Sequence, residues 1–412
     1  MTRWLIGWRD DLKITTPLIV IFFTISFVFN FWVLSEQQYT YLATSFLKGK
    51  LYFLEEYCLF EDTVLVDSKY YWPLGPFPAI ILLPFTYIFS IFNRIFYQGY
   101  LQFFITCSVF YLSFRIARIF KFSPDDSLLL AFAFCFASVY QLVALMPWSW
   151  YFVQAIVVLL IFLSIFEYLR KRRYLIIGLI FSFIFASRFT AGFGVLFFIF
   201  DILTSKRYNF KKKAWLLVYL VVPIIISGIL LLVYNYQRFG SILDNGYTRV
   251  NNHLLTHRER FKLLNYGLFR IRNIPTNFYY YFIKTLDPVL VNSESMHENT
   301  HFLKAPYVKV NYPGTSFFIV SPVFLYIFRT NLKKKIVKLS LVSALIILFF
   351  LLSYYWPGWR QVGPRYLLDL LPFLYLLLLN SFKNYKLSFK VKSVITFSSL
   401  SSFYLLLTVF GL

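Results

Sequence analysis

The sequence predicts an all-α protein that crosses a membrane many times, and three observations carry that prediction. Of 412 residues, 59% are hydrophobic and only 14% charged, too few charges to cover a soluble protein of this length. The apolar residues come in long runs, about eleven of which approach the roughly 20 residues that a helix needs to cross a bilayer. The short connections between the runs are basic, as cytoplasmic loops are.

In chain order the candidate spans are 16–34, 74–97, 101–120, 127–146, 150–169, 174–187, 190–204, 214–234, 315–329, 336–356, 365–381 and 392–411. The first follows a polar start holding Arg3, Arg9, Asp10, Asp11 and Lys13, with no small-residue cleavage site after it, and is read as an uncleaved span. The prolines Pro73, Pro76, Pro78 and Pro84 make 71–86 irregular. One of 74–97 and 101–120 is therefore expected to be re-entrant or split, since two full crossings would place Arg115, Arg118 and Lys121 outside. The stretch 174–204 is too long for one upright helix and is interrupted by Ser187 to Gly192, which predicts a hairpin of two short helices with Arg188 at its tip. No segment is large and polar enough to fold alone, so 1–412 is read as one integral membrane domain with outer loops 35–73 and 235–314.

Orientation follows from the clusters Arg170–Arg173, Lys206–Lys213, Lys333–Lys338 and Lys383–Lys392, all expected in the cytoplasm. Most of the acidic residues then fall in the outer loops: Glu36, Glu55, Glu56, Glu61, Asp62, Asp67, Asp244, Glu259, Asp287, Glu294 and Glu298. All nine tryptophans lie at or near expected span ends, as an interfacial belt requires. The formal net charge of +23 sits beside the spans instead of interleaving with aromatic residues on a soluble face, which excludes nucleic acid as a partner. Cys58, Cys107 and Cys135 offer neither a disulfide framework nor a metal knuckle.

The chemistry is expected in the outer loops. Glu36 stands at the exit of the first span, where partial desolvation raises a carboxylate's basicity and suits it to act as a general base. Asp62, beside Glu61, is the second carboxylate candidate. Arg188, Arg238, Arg360 and Arg365 all sit at expected outer ends of spans. Any one of them is explained by snorkelling, but four on one face, none required by the positive-inside rule, point to an anion site. Within the long loop, Asn273–Leu286 reads as an amphipathic helix lying on the interface.

Three strings then become familiar. They are EQQYTYLATSFLKGKLY from Glu36 to Tyr52, followed by Asp62 and by KYYWPLGPFPA from Lys69 to Ala79, which includes Tyr71; YNYQRFG from Tyr234 to Gly240, with DNGY ending at Tyr247; and GWRQVGPRY from Gly358 to Tyr366, with Asp369 and Pro372. In order and on one expected face, they resemble the outer loops of GT-C-fold glycosyltransferases, the group of the dolichyl-phosphate-mannose–protein mannosyltransferases and their bacterial relatives. The resemblance implies a GT-C-like fold and a sugar donor carried on a polyprenyl phosphate in a membrane. It further implies transfer to a glycan, lipid or protein acceptor outside the cytoplasm, with a first-loop carboxylate as base. Family members usually carry Asp, often as an Asp-Glu pair; here Glu36 is followed by Gln37, which keeps Asp62 in contention. Arg188, Arg238, Arg360, Arg365, Tyr71 and Tyr247 are the matching substrate-binding candidates.

Two other classes compete. A polysaccharide polymerase or ligase differs in its acceptor, a growing lipid-linked glycan. A lipid-linked sugar transporter or flippase calls for an internal repeat and paired broken helices, and neither is evident. The segment His297-Glu298-Asn299-Thr300-His301 matches the zinc-protease motif, and His253 and His257 repeat its spacing, but Asn299, Thr300 and Pro306 make poor helix where that motif needs a strong one. No metal site is assigned, and dependence on a divalent metal stays open. The expected location is a bacterial cytoplasmic membrane, with the active site on the extracytoplasmic face.

Overall fold

Inside a bilayer no water satisfies the backbone, so apolar runs fold as helices and every break in a helix needs a partner from the protein. The structure, a computed structural model, describes residues 3–54, 62–250, 257–292, 301–311 and 313–411. Glu55, Glu56, Cys58, Glu61, His253, Glu294, His297 and Glu298 lie outside them. The chain is an all-α membrane protein. Its helices are α1 (Arg3–Trp32), α2 (Gln38–Leu47), α3 (Phe77–Ile91), α4 (Gln98–Ile119), α5 (Pro124–Phe136), α6 (Tyr140–Leu145), α7 (Ser149–Arg170), α8 (Tyr174–Phe185) and α9 (Phe189–Gly192). They continue with α10 (Leu196–Thr204), α11 (Phe210–Phe239), α12 (His257–Tyr266), α13 (Ile274–Phe278), α14 (Phe317–Val320), α15 (Lys335–Ser353), α16 (Leu371–Ser381) and α17 (Phe389–Phe410).

Among the described residues, five helices are long and apolar enough to cross a membrane unaided: α4, α7, α11, α15 and α17. The apolar segments Thr16–Trp32, Phe77–Ile91, Tyr174–Phe185, Phe189–Thr204 and Leu371–Ser381 are shorter. Helix α7 is the most buried long helix, with 67% of its apolar window inside the protein, and packs against α4 and α8. Helix α11 is the opposite case at 11%; it leans chiefly on α8 and turns the rest of its surface outward. Gly178 makes that contact close, since a Cβ there would lie 2.4 Å from the Leu220 carbonyl oxygen.

Two expected spans are broken, for identifiable reasons. The run 127–146 divides into α5 and α6 because Ser138 takes over the local hydrogen bonding: its Oγ donates to the Phe134 carbonyl (2.6 Å) and accepts from Tyr140 N (3.1 Å). The run 315–329 divides at Pro322 into α14 and a 3₁₀ turn, Pro322–Arg329. The two breaks answer each other, for Val139 N donates to Ser321 Oγ at 3.0 Å. Of the two segments whose crossings conflicted, α4 is full length, whereas α3 has 15 residues with Pro84 inside. The stretch 174–204 does fold back, with Phe181 of α8 meeting Phe198 of α10 at 5.5 Å.

Short ribbons and helices connect the longer helices. Strands β1 (Val64–Val66) and β2 (Lys69–Tyr71) pair through a two-residue turn at Asp67 and Ser68, both at positive φ as such hairpins require. Strands β3 (Asp287–Asn292) and β4 (His301–Lys309) form a second antiparallel ribbon. His301 thus begins a strand, where the zinc-protease motif needs helix. The expected interfacial helix is observed as a 3₁₀ turn at Ile271–Asn273, then α13, then a π turn at Tyr279–Ile283. It caps α15: Asn277 Nδ2 donates to the Leu352 and Tyr354 carbonyls at 2.7 and 2.6 Å. Its outward side presents Phe278, Tyr279 and Ile283.

The loop 73–76 is pinned to the α8–α9 break. Phe77 N donates to the Ala186 carbonyl at 3.2 Å, and a Cβ on Gly75 would stand 2.0 Å from that oxygen. Gly75→Ala is therefore expected to cost about 1–3 kcal/mol through forced backbone shifts, read as a lower thermal midpoint of the detergent-solubilised protein. Gly228→Ala on α11, with nothing within 4 Å, is the control and leaves the midpoint unchanged or raises it. Equal midpoints in the two variants would show that the loop is not pinned.

Candidate functional site

Three irregular pieces of chain meet near the pinned loop: the α8–α9 break, the C-terminal turn of α11 with the loop after it, and the end of α15. Between them lies a cavity of about 410 Å³. One part of its wall is apolar, from Phe185, Phe189, Leu231, Leu268 and Leu351. The other carries Arg188, Arg238, Asn235 and Asn245, with the rings of Trp150, Tyr234, Tyr247, Tyr354 and Tyr366. The site is amphiphilic, with two guanidinium groups among aromatic faces.

Arg188 is held rigidly. Its Nε and Nη2 donate to Oδ1 and Oδ2 of Asp369 at 2.9 and 3.0 Å, and Thr190 Oγ1 donates to Oδ2 at 2.6 Å. The Asp369 side chain is fully buried and that of Arg188 is 10% exposed. Asp369 ends a 3₁₀ turn, Arg365–Asp369, that precedes α16, so the pair ties this turn to the α8–α9 break. Two of the three guanidinium nitrogens are committed to the carboxylate, and Nη1 makes no hydrogen bond to the described residues.

Arg238 is held differently, by neutral groups alone. Its Nη1 donates to the Trp72 carbonyl at 2.7 Å and its Nη2 to Asn235 Oδ1 at 2.8 Å. The guanidinium lies over the rings of Tyr234 (3.9 Å) and Phe239 (4.6 Å), a cation–π arrangement. The residue is only 5% exposed, and its Nε is buried with no hydrogen-bond partner. No described carboxylate pairs with it; Asp244, on the adjoining loop, is engaged by Arg249 at 2.5 Å. An uncompensated buried cation beside a cavity suits an anion from outside the chain.

The other candidate residues divide. Tyr247 lines the cavity; burial and the neighbouring Tyr366 push its phenol above the ordinary value, so it stays neutral and protonated through the physiological range. Asp62 stands beside the cavity, its Oδ2 accepting from Trp150 Nε1 at 3.0 Å, while the Trp150 ring packs 5.2 Å from Trp72. Neither Asp62 nor Glu36 is among the lining residues. The Glu36 carboxylate meets Arg360 at 3.4 Å, and its carbonyl accepts from Ser149 N and Oγ. Arg360 lies over Trp148 instead of the cavity. Arg365 is buried behind the wall, its guanidinium over Tyr151 and Tyr366 and its Nη1 3.4 Å from the Trp150 carbonyl. Tyr71 packs between Tyr52 and Phe239, away from the opening.

The structure thus brings together Asp62, Arg188, Arg238 and Tyr247 and leaves Glu36 and Arg360 to one side. It adds Trp150, Tyr354 and Thr190, which sequence reasoning did not single out. Trp150 carried a signal, a tryptophan at a helix start, but the membrane interface explains that equally well. Among the described residues, no three His, Cys, Asp or Glu side chains are grouped to hold a metal ion.

Removing Arg188 alone strands Asp369. Arg188→Ala is expected to cost about 3–5 kcal/mol, seen as loss of folded protein in size-exclusion chromatography, whereas Arg188→Met with Asp369→Leu recovers most of it. Equal yields from the single and double variants would contradict the pairing. The chain matches no protein-family profile, no curated protein and no solved structure, so the site is read from its own geometry.

Proposed function

We propose that the protein is a membrane glycosyltransferase that moves a sugar from a polyprenyl-phosphate donor to an acceptor on the outer face. The observation that carries this reading is Arg238, a buried guanidinium without a carboxylate partner among the described residues, lining a cavity with aromatic and apolar walls. A lipid-linked phosphate sugar offers a matching set of groups. Its phosphate answers the uncompensated cation, its sugar stacks on rings such as Trp150 and Tyr247, and its chain lies along Phe189, Leu231 and Leu351. On this reading the architecture is GT-C-like, and the shorter apolar segments and the broken runs 127–146 and 315–329 join the long helices in about eleven crossings. The outer loops 35–73 and 235–314 then carry the site on the extracytoplasmic face of a bacterial cytoplasmic membrane.

The proposed step balances simply. A carboxylate takes the proton from the acceptor hydroxyl, and the oxygen attacks the anomeric carbon. The bond from that carbon to the phosphate oxygen breaks, and the phosphate leaves with the electron pair. Arg238, with Arg188 beside it, stabilises the charge that develops there. Asp62 is favoured as the base because it hydrogen-bonds a ring of the cavity wall, whereas Glu36 meets Arg360 outside the lining. A polymerase or ligase shares this chemistry and differs in its acceptor.

The test is transfer of radiolabelled sugar from a panel of polyprenyl-phosphate sugars by membranes containing the protein. Asp62→Asn is expected to lower turnover by about 10²–10⁴-fold, the range for loss of a general base, with donor affinity kept. Glu36→Gln retains most of the activity. The reverse pattern moves the base to Glu36, and transfer from no donor on the panel overturns the reading.

A further inference from the structure

We infer that Asp369 sets the charge class of the ligand: by neutralising Arg188 it leaves the cavity one net positive charge, fitted to a singly charged phosphodiester and not to a doubly charged phosphomonoester or diphosphate. This deepens the reading of the cavity as a lipid-phosphate site and rests on it.

Among the described residues the charges around the cavity can be taken group by group. Arg188 is matched by the fully buried carboxylate of Asp369. Asp244 is matched by Arg249, and Glu36 by Arg360. Asp62 and Arg365 lie outside the lining, at the indole N–H and the backbone carbonyl of Trp150, so the cations that line the cavity are Arg188 and Arg238. Of these two, Arg238 remains, bonded among the described residues only to the Trp72 carbonyl and the Asn235 amide oxygen, with no described partner for its Nε. Asp369 is not among the residues that line the cavity, so it acts through Arg188 and Thr190, which are.

The selectivity follows from how two energies scale. Attraction to a fixed cation grows in proportion to the ligand's charge, while the cost of stripping water from the ligand grows as the square of that charge. Against one uncompensated cation, a monoanion gains its full partner. A dianion gains twice the attraction at four times the desolvation cost, and it leaves a negative charge buried. Replacing Asp369 by a neutral residue of the same shape gives the cavity two uncompensated cations, and the balance moves toward dianions.

The experiment uses the full-length protein in nanodiscs, with binding followed by tryptophan fluorescence, since Trp150 and Trp72 adjoin the cavity. The probes are farnesyl phosphate, its monomethyl ester and farnesol, at pH 8, where the monoester carries close to two charges. The native protein is expected to bind the methyl ester about tenfold more tightly than farnesyl phosphate, and farnesol weakest. Asp369→Asn is expected to shift that ratio by about tenfold or more toward the monoester. The double variant Arg188→Gln/Asp369→Asn, again with one net cation, returns the preference for the methyl ester. A residue that served packing alone would move both affinities together and leave the ratio fixed.

A native preference for the dianion, or an Asp369→Asn ratio equal to the native one, overturns the inference while the lipid-phosphate reading stands. Should Asp369→Asn not fold, the double variant decides: a preference for the monoester there overturns the inference. Binding of neither phosphate ester by the native protein overturns the lipid-phosphate reading, and this inference with it.

Discussion

The ion pair between Arg188 and Asp369 is the interaction on which the walls of the cavity depend. A break within an apolar stretch of helix exposes backbone groups and, here, a cation, and apolar surroundings can satisfy neither. The carboxylate of Asp369 meets the cation in a two-pronged contact, and Thr190 supplies a third hydrogen bond to the same group. The α8–α9 break is thereby fixed to the turn at 365–369. The Ala186 carbonyl then receives Phe77 N, and Gly75 lets the loop 73–76 approach that oxygen without a side chain between them. One wall of the cavity is a consequence of these contacts.

Energetically this pair is not a simple source of stability. Removing two charges from water costs several kcal/mol for each ion, and well-packed apolar residues of the same volume often do as well or better. What the pair supplies is geometry: a guanidinium with two nitrogens committed and its position at the cavity wall defined. Arg238 is the complementary case, with aromatic faces on its flat sides and only neutral acceptors at its edge. Its helix, α11, is mostly exposed along its apolar length and is held by the close approach at Gly178. The cavity therefore has a firmly braced side and a side formed by a peripheral helix.

Much of the architecture was legible because lipid solvation writes itself into a sequence as long apolar runs. The α8–α9 break was legible too, since Ser187, Arg188, Thr190 and Gly192 interrupt a run too long for one helix. The break at 137–139 was not, whereas Pro322 marks the one at 321–322 in the sequence itself. The first arises from hydrogen bonds of Ser138, and a lone serine in an apolar run reads the same whether it faces a neighbour or bonds its own helix. The arginines could be nominated by position, but only the fold separates them. Arg188 and Arg360 are paired by Asp369 and Glu36, carboxylates 181 and 324 residues away in the chain, while Arg238 and Arg365 pair with no described carboxylate. No local pattern encodes partners at such separations. The surroundings of Glu36 and Asp62 differ for the same reason, since Trp150 reaches Asp62 across 88 residues.

If Arg188 and Arg238 face one anion inside the cavity, electron cryo-microscopy of the protein in lipid nanodiscs with a polyprenyl phosphodiester sugar will show it. Phosphate density is expected within hydrogen-bond reach of Arg238 and beside Arg188, with chain density leaving past Phe189 and Leu231. An empty cavity, with the phosphate lodged instead at Arg360 beside Glu36, would contradict that arrangement.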